Sequence, residues 1–130
     1  MASLDRTAVL RGALATLAVA VPSVLFGRAA GGDRDSPVVL LVVLAFFAGF
    51  VLGGVVAGRH SPGAPLTHAA AAAATAYTLA VGTTLAGRAL SGRGVGTALA
   101  TTVILFLTLA VSLAMVGALV GRRRAPPAEP

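Results

Sequence analysis

The sequence contains no cysteine, lysine, tryptophan, asparagine or glutamine, and it has few charged residues of either sign. Without cysteine the chain has no disulfide, no thiolate metal ligand and no cysteine nucleophile. Charged residues make up 11% of the 130 residues, against about 25% in a typical soluble domain. A soluble fold of this length could not cover its surface with so few charges, so the composition favours a membrane protein.

Acidic residues are especially scarce, and none lies between Asp35 and Glu129. A proton-coupled transporter needs a carboxylate or a similar group inside the membrane, so this class is disfavoured. The ten basic residues are all arginine and give a net charge of +6. They separate apolar runs and form no basic face, which argues against nucleic acid as a partner.

Four apolar runs are long enough, or nearly so, to cross the roughly 30 Å hydrocarbon core of a bilayer as helices. They lie at about 8–26, 37–58, 67–86 and 95–120. The sequence therefore predicts an all-α protein, an integral membrane four-helix transmembrane bundle. The predicted membrane domain is 1–121, and the basic tail at 122–130 is expected to be disordered.

The first run has a second interpretation. A basic start, an apolar middle and the small residues Ala29 and Ala30 are also typical of a secretory signal peptide, although Arg28 fits poorly before that cleavage point. As a span, the run is expected to bend at Pro22.

The arginines set the expected orientation. If both termini are cytoplasmic, six arginines lie inside and four outside: Arg6, Arg11, Arg59, Arg122, Arg123 and Arg124 against Arg28, Arg34, Arg88 and Arg93. The positive-inside rule then favours cytoplasmic termini. The abundance of alanine, glycine, arginine and proline favours a bacterial source, and we expect the cell (inner) membrane.

Small residues recur every four positions in two of the spans. They are Ala45, Gly49, Gly53 and Ala57 in the second span, and Gly117 and Gly121 at the end of the fourth. Such spacing predicts close helix packing, either within one chain or between copies. The third span is rich in alanine and poor in large side chains, so we expect it to pack closely against a neighbouring helix, with the glycine face of the second span as the first candidate.

Two polar side chains stand out in the third span. His68 is interpreted either as a pH-sensitive group or as an interfacial histidine bonded to loop backbone or water. Tyr77 is interpreted either as a polar group in a cavity or as a packed aromatic whose hydroxyl bonds a neighbour. His60 and His68, with no carboxylate or thiolate beside them, make a poor metal site, and we expect no metal and no cofactor.

The basic end of the chain indicates contact with lipid. Arg122, Arg123 and Arg124 can bind anionic headgroups, and the same residues also serve as the flank that stops translocation.

The stretch from Gly49 to Tyr77 reads GFVLGGVVAGRHSPGAPLTHAAAAAATAY. It predicts a glycine-rich second helix that ends in Ala-Gly-Arg, then a short turn, then a His that opens a helix of small residues. In this order of features the chain resembles small bacterial membrane proteins of the YrzE type. This sequence has Ala69 where glycine is expected after the His. The resemblance implies a four-span fold, and it brings no activity with it.

The leading functional hypothesis is a non-enzymatic structural or accessory membrane protein that associates with itself or a larger membrane complex through its Gly/Ala faces. The alternative is a small oligomeric channel, holin-like pore or transporter subunit. Such a pore needs polar lining, for which the chain offers Thr75, Thr78, Thr97, Thr101, Thr108 and Ser112. No residues are predicted to be catalytic, and the loops are too short for a soluble catalytic site.

Overall fold

The computed structural model describes residues 5–30, 36–61, 63–92, 94 and 96–123. Within these ranges the chain is all-α and has no strand. The helices are α1 (Arg6–Ala29), α2 (Pro37–His60), α3 (Pro65–Leu90) and α4 (Thr97–Arg123). Each is long and apolar enough to cross a membrane, so the predicted four-helix, all-α architecture is confirmed. The tail at 124–130 lies outside the described residues.

Each helix continues past the predicted end of its span, into the arginines and histidine that flank it. Two helices begin at side-chain caps. The Asp5 carboxylate accepts from the backbone N–H of Thr7 at 2.8 Å, and the Ser36 hydroxyl accepts from that of Val38 at 3.3 Å. Both caps satisfy donors that the first helical turn leaves free. α1 runs through Pro22 without a break.

The helices form a four-cornered bundle in which α1 and α3 run in one direction and α2 and α4 in the other. α2 contacts each of the other three helices, and α3 contacts α1 and α4 as well. Within the described residues no Cα atom of α1 lies within 8 Å of a Cα atom of α4. The beginning of α1, the end of α4 and the junction of α2 with α3 therefore lie at one end of the bundle. The end of α1, the beginning of α2, the end of α3 and the beginning of α4 lie at the opposite end.

Burial divides the bundle into two halves along its length. The half nearest the chain ends, here the packed half, consists of residues 6–20, 49–61, 65–77 and 110–123. Every buried residue of the described ranges lies in it. The remainder, here the open half, consists of residues 21–29, 37–48, 78–90 and 97–109, and there every described side chain keeps some exposure.

The interior of the packed half is made of small residues. Apart from Phe50 and Tyr77, every buried hydrophobic side chain is an alanine. Large apolar side chains lie outside instead: Leu14 is 58% exposed, Leu41 64% and Leu105 65%. This distribution, small inside and large outside, is the reverse of a soluble core.

Candidate functional site

The row of small residues in α2 lies against α1. A Cβ atom added at Gly49 would be 3.1 Å from the carbonyl oxygen of Thr16, and one added at Gly53 would be 2.7 Å from that of Gly12. Ala57 continues the row, and its side chain would be 3.0 Å from a Cβ added at Gly12. Ala45, at the other end of the row, lines a surface groove with residues of α1.

A second glycine face of α2 meets α4. A Cβ added at Gly54 would lie 2.8 Å from the Cα of Ala114, and one at Gly58 would lie 2.8 Å from the Cα of Ala118. The approach is reciprocal. A Cβ atom added at Gly117 would come within 3.0 Å of the backbone of Val51, and one added at Gly121 within 3.0 Å of that of Val55. These two valines precede Gly54 and Gly58 on α2. Two parallel helices therefore cross here with backbone against backbone.

The third span packs against all three other helices, but the first candidate for its contact, the glycine face of the second span, is wrong. The atoms nearest to Gly49, Gly53, Gly54 and Gly58 belong to α1 and α4. Both of those helices carry glycines of their own at the crossing, which allows a closer approach than the alanines of α3 do. α3 enters this region through Ala72, whose side chain lies 3.0 Å from the Cβ position at Gly12.

His68 joins the beginnings of α1 and α3. The backbone N–H of Asp5 donates to its Nε2 at 2.8 Å, so the ring proton is on Nδ1, which donates to the carbonyl oxygen of Ala64 at 2.7 Å. The side chain is only 4% exposed. Both ring nitrogens are thus used by backbone groups, in line with the interpretation as an interfacial histidine.

Asp5 is the single acidic residue that the structure describes, and its backbone N–H is the group that donates to His68. The backbone N–H groups of Thr7 and Ala8 donate to its carboxylate and hold its pKa below the usual value, with a smaller contribution from His68. His60 lies apart, where its Nδ1 and the carbonyl oxygen of Val56 are 2.8 Å from each other. Among the described residues no three His, Cys, Asp or Glu side chains come together as metal ligands would.

Tyr77 is packed between helices. Its hydroxyl donates to the carbonyl oxygen of Val103 in α4 at 2.9 Å, and its ring centroid lies 6.3 Å from that of Phe50. Only 4% of the residue is exposed. The hydroxyl is therefore already paired and offers no free polar group to a cavity.

The hydroxyl rows proposed as a pore lining lie on the outer surfaces of α3 and α4. All six side chains are exposed. Four of them donate to the carbonyl oxygen four residues earlier in their own helix, namely Thr75, Thr101, Thr108 and Ser112. Hydroxyls bonded in this way need no partner in lipid.

A cleft of about 240 Å³ enters the open half between the helices. All four helices line it, through Val24, Val42, Val43, Phe46, Phe47, Tyr77, Val81 and Phe106. Aromatic rings form its inner wall. The centroids of Phe47 and Phe106 are 5.6 Å apart, and Phe46 lies 5.2 Å from Phe50 at the border of the packed half.

Sequence reasoning missed this cleft. The cluster of Phe46, Phe47 and Phe50 was visible as the densest aromatic stretch of the chain, and that signal could have marked α2 as its wall. The contributions of Val24, Val81 and Phe106 depend on how the helices are arranged, which spacing alone does not provide.

Several of the described arginines lie at the ends of the helices. Arg122 and Arg123 close α4 and are exposed, at the same end of the bundle as Arg6 and Arg59. Arg124 lies outside the described residues.

The chain matches no family model, and no curated protein or solved structure matches it. The resemblance to proteins of the YrzE type therefore stays a prediction, and function has to be argued from the geometry.

Proposed function

We propose that the chain is a multi-pass integral membrane protein of the bacterial cell membrane, with both termini in the cytoplasm. The observation that carries this proposal is the distribution of side chains, with alanine and glycine inside and leucine, valine, isoleucine and phenylalanine outside. In lipid, large apolar side chains are as well solvated outside as inside, and small residues allow backbones to approach.

We infer further that its role is structural or accessory and not enzymatic. Among the described residues, the buried polar side chains are Thr16, Ser61 and His68. Thr16 and Ser61 donate to carbonyl oxygens of their own helices, and both ring nitrogens of His68 are occupied. Groups that are paired in this way hold helices in place, and they are not arranged as a nucleophile with its base.

Association with a second copy or a larger membrane complex would have to use a surface other than the predicted glycine faces, because those faces are filled within the bundle. The outer face of α3 is the best candidate. Ala74, Thr78 and Gly82 are spaced four apart on it and none is buried. A Cβ added at Gly82 would meet no atom within 4 Å. This is a small-residue face of the kind that joins helices in membranes.

Cysteine substitution tests both parts of the proposal, because the native chain has no cysteine to interfere. Membrane-impermeant maleimide should label a cysteine at Ser91 in intact cells, and one at Gly63 only after lysis. Labelling of both positions from the same side, or release of the chain from membranes by alkaline carbonate, would contradict the proposed embedding.

The association is tested by oxidative crosslinking in native membranes. A cysteine at Thr78 should give a disulfide-linked dimer or a larger adduct, whereas a matched cysteine at Leu44, on the outer surface of α2 and 57% exposed, should not. Equal yields at both positions would mean random collision and would refute this interface.

The pore alternative gains no support from the hydroxyl rows. Their side chains are spread over the outside of two helices, and four of the six bond their own backbone. A pore would require several copies to gather these surfaces around one axis.

A further inference from the structure

We propose that the cleft in the open half holds one aliphatic chain of a lipid from the adjacent leaflet, retained between the helices and distinct from the lipid that surrounds the bundle. The inference rests on the membrane embedding proposed above. It assigns an occupant to a cavity that the fold leaves unfilled.

The chemistry of the walls selects an apolar occupant. The cleft is lined by valine and phenylalanine side chains together with Tyr77. The Tyr77 hydroxyl is already committed to the carbonyl oxygen of Val103. No lining side chain therefore requires a polar partner, and water, which needs two or more such partners, has no reason to enter.

The cleft has a volume of about 240 Å³ and is lined by side chains of all four helices. An aliphatic chain is narrower than a helix and can enter between the side chains. Filling the void restores the dispersion contacts that the walls lack on that side.

The depth of the cleft also fits a single leaflet. Phe47, on the inner wall, is ten residues from Pro37 at the beginning of α2, which corresponds to about 15 Å along the helix. That is half of the roughly 30 Å hydrocarbon core of a bilayer. Deeper entry is blocked where Phe50 and Tyr77, both buried, begin the packed half.

The test uses purified full-length protein in bilayers of phosphatidylethanolamine and phosphatidylglycerol, with a small fraction of phosphatidylglycerol carrying a diazirine in its acyl chain. After illumination, crosslinked positions are mapped by mass spectrometry. We expect labelling concentrated on cleft residues such as Val42, Val81 and Phe106, and less on equally apolar outer positions such as Leu40.

Variants that fill the cleft supply the decisive comparison. Val81→Phe and, independently, Val42→Phe should lose the concentrated labelling, whereas Leu105→Phe, which adds the same ring on the outer surface, should keep it. Circular dichroism confirms that each variant is folded. Phe106→Ala, which widens the cleft, should retain or raise the labelling of the remaining cleft residues. This variant provides the comparison if a filled variant does not fold.

Uniform labelling of cleft and outer positions, or labelling that Val81→Phe and Val42→Phe leave unchanged, would overturn the proposal. So would protein–protein crosslinks at the cleft, since they would show another chain in its place. If carbonate releases the chain from membranes, the proposed function itself fails. If the chain stays embedded and the cleft is not labelled, only this inference fails.

Discussion

The packed half and the open half of the bundle are made by the same four helices but from different side chains. In the packed half, glycine and alanine let α2 come against the backbones of α1 and α4. In the open half, valine and phenylalanine side chains line a cleft between the helices. Small residues at a crossing let helix backbones approach closely, so one bundle can be closely packed at one end and open at the other.

The largest expected difference concerns two phenylalanines. Phe50→Ala in the packed half removes a side chain that is fully buried, and we expect a loss of about 3 kcal/mol in the free energy of unfolding because a cavity remains. Phe106→Ala in the open half, where the side chain is 41% exposed, should cost below about 1 kcal/mol, because lipid takes its place. Unfolding in mixed micelles at increasing SDS measures both. Equal losses would remove the distinction between the halves.

The next test makes the same substitution in each half. Gly117→Ala places a methyl group against the Val51 backbone and should destabilise by about 1–3 kcal/mol. Gly82→Ala meets no atom within 4 Å and should be neutral or stabilise by up to about 1 kcal/mol, because alanine favours the helix. The same SDS titration reads out both. A stabilising effect of Gly117→Ala would mean that α2 and α4 do not cross as described.

A smaller effect is expected at the border between the halves. Tyr77→Phe keeps the ring and removes the hydrogen bond to the carbonyl oxygen of Val103. We expect a loss of about 1 kcal/mol or somewhat less, in the range of hydrogen bonds within membrane bundles. Thr75→Val, which removes a hydroxyl that bonds only its own helix, is the matched control and should change stability less. The reverse order would place the Tyr77 hydroxyl outside any interhelical contact.

The smallest effect concerns pH at the end of the packed half. The pKa of Asp5 is lowered in the folded state, mainly by the backbone N–H groups of Thr7 and Ala8, so its charged form stabilises the fold. That contribution is present above the ordinary pKa of an aspartate and is lost as the pH falls through the depressed folded value. Thermal melts between pH 3 and 6 should show a slight decline toward acid that Asp5→Asn abolishes. A decline of equal size in Asp5→Asn would assign it to another group.

The helices themselves could be predicted from the sequence, because a bilayer demands runs of a given length and apolarity. The runs around α2 and α4 meet that demand almost without exception. The partner of each small-residue row could not be predicted. Spacing indicates that a backbone can come close to Gly53 or Gly117, but not which helix will supply it. The cleft could not be predicted for the same reason. Val24, Val81 and Phe106 are far apart in the chain, and no sequence pattern connects them.

The crossing of α2 and α4 has a consequence for the order in which the protein is made. Residues 54 and 114, which meet there, are separated by sixty positions and by the whole of α3. While the ribosome completes that interval, α1 can already dock on its side of α2, but Gly54 and Gly58 still lack α4 as a partner. The last of the four described helices to be synthesised is therefore the one that completes this packing.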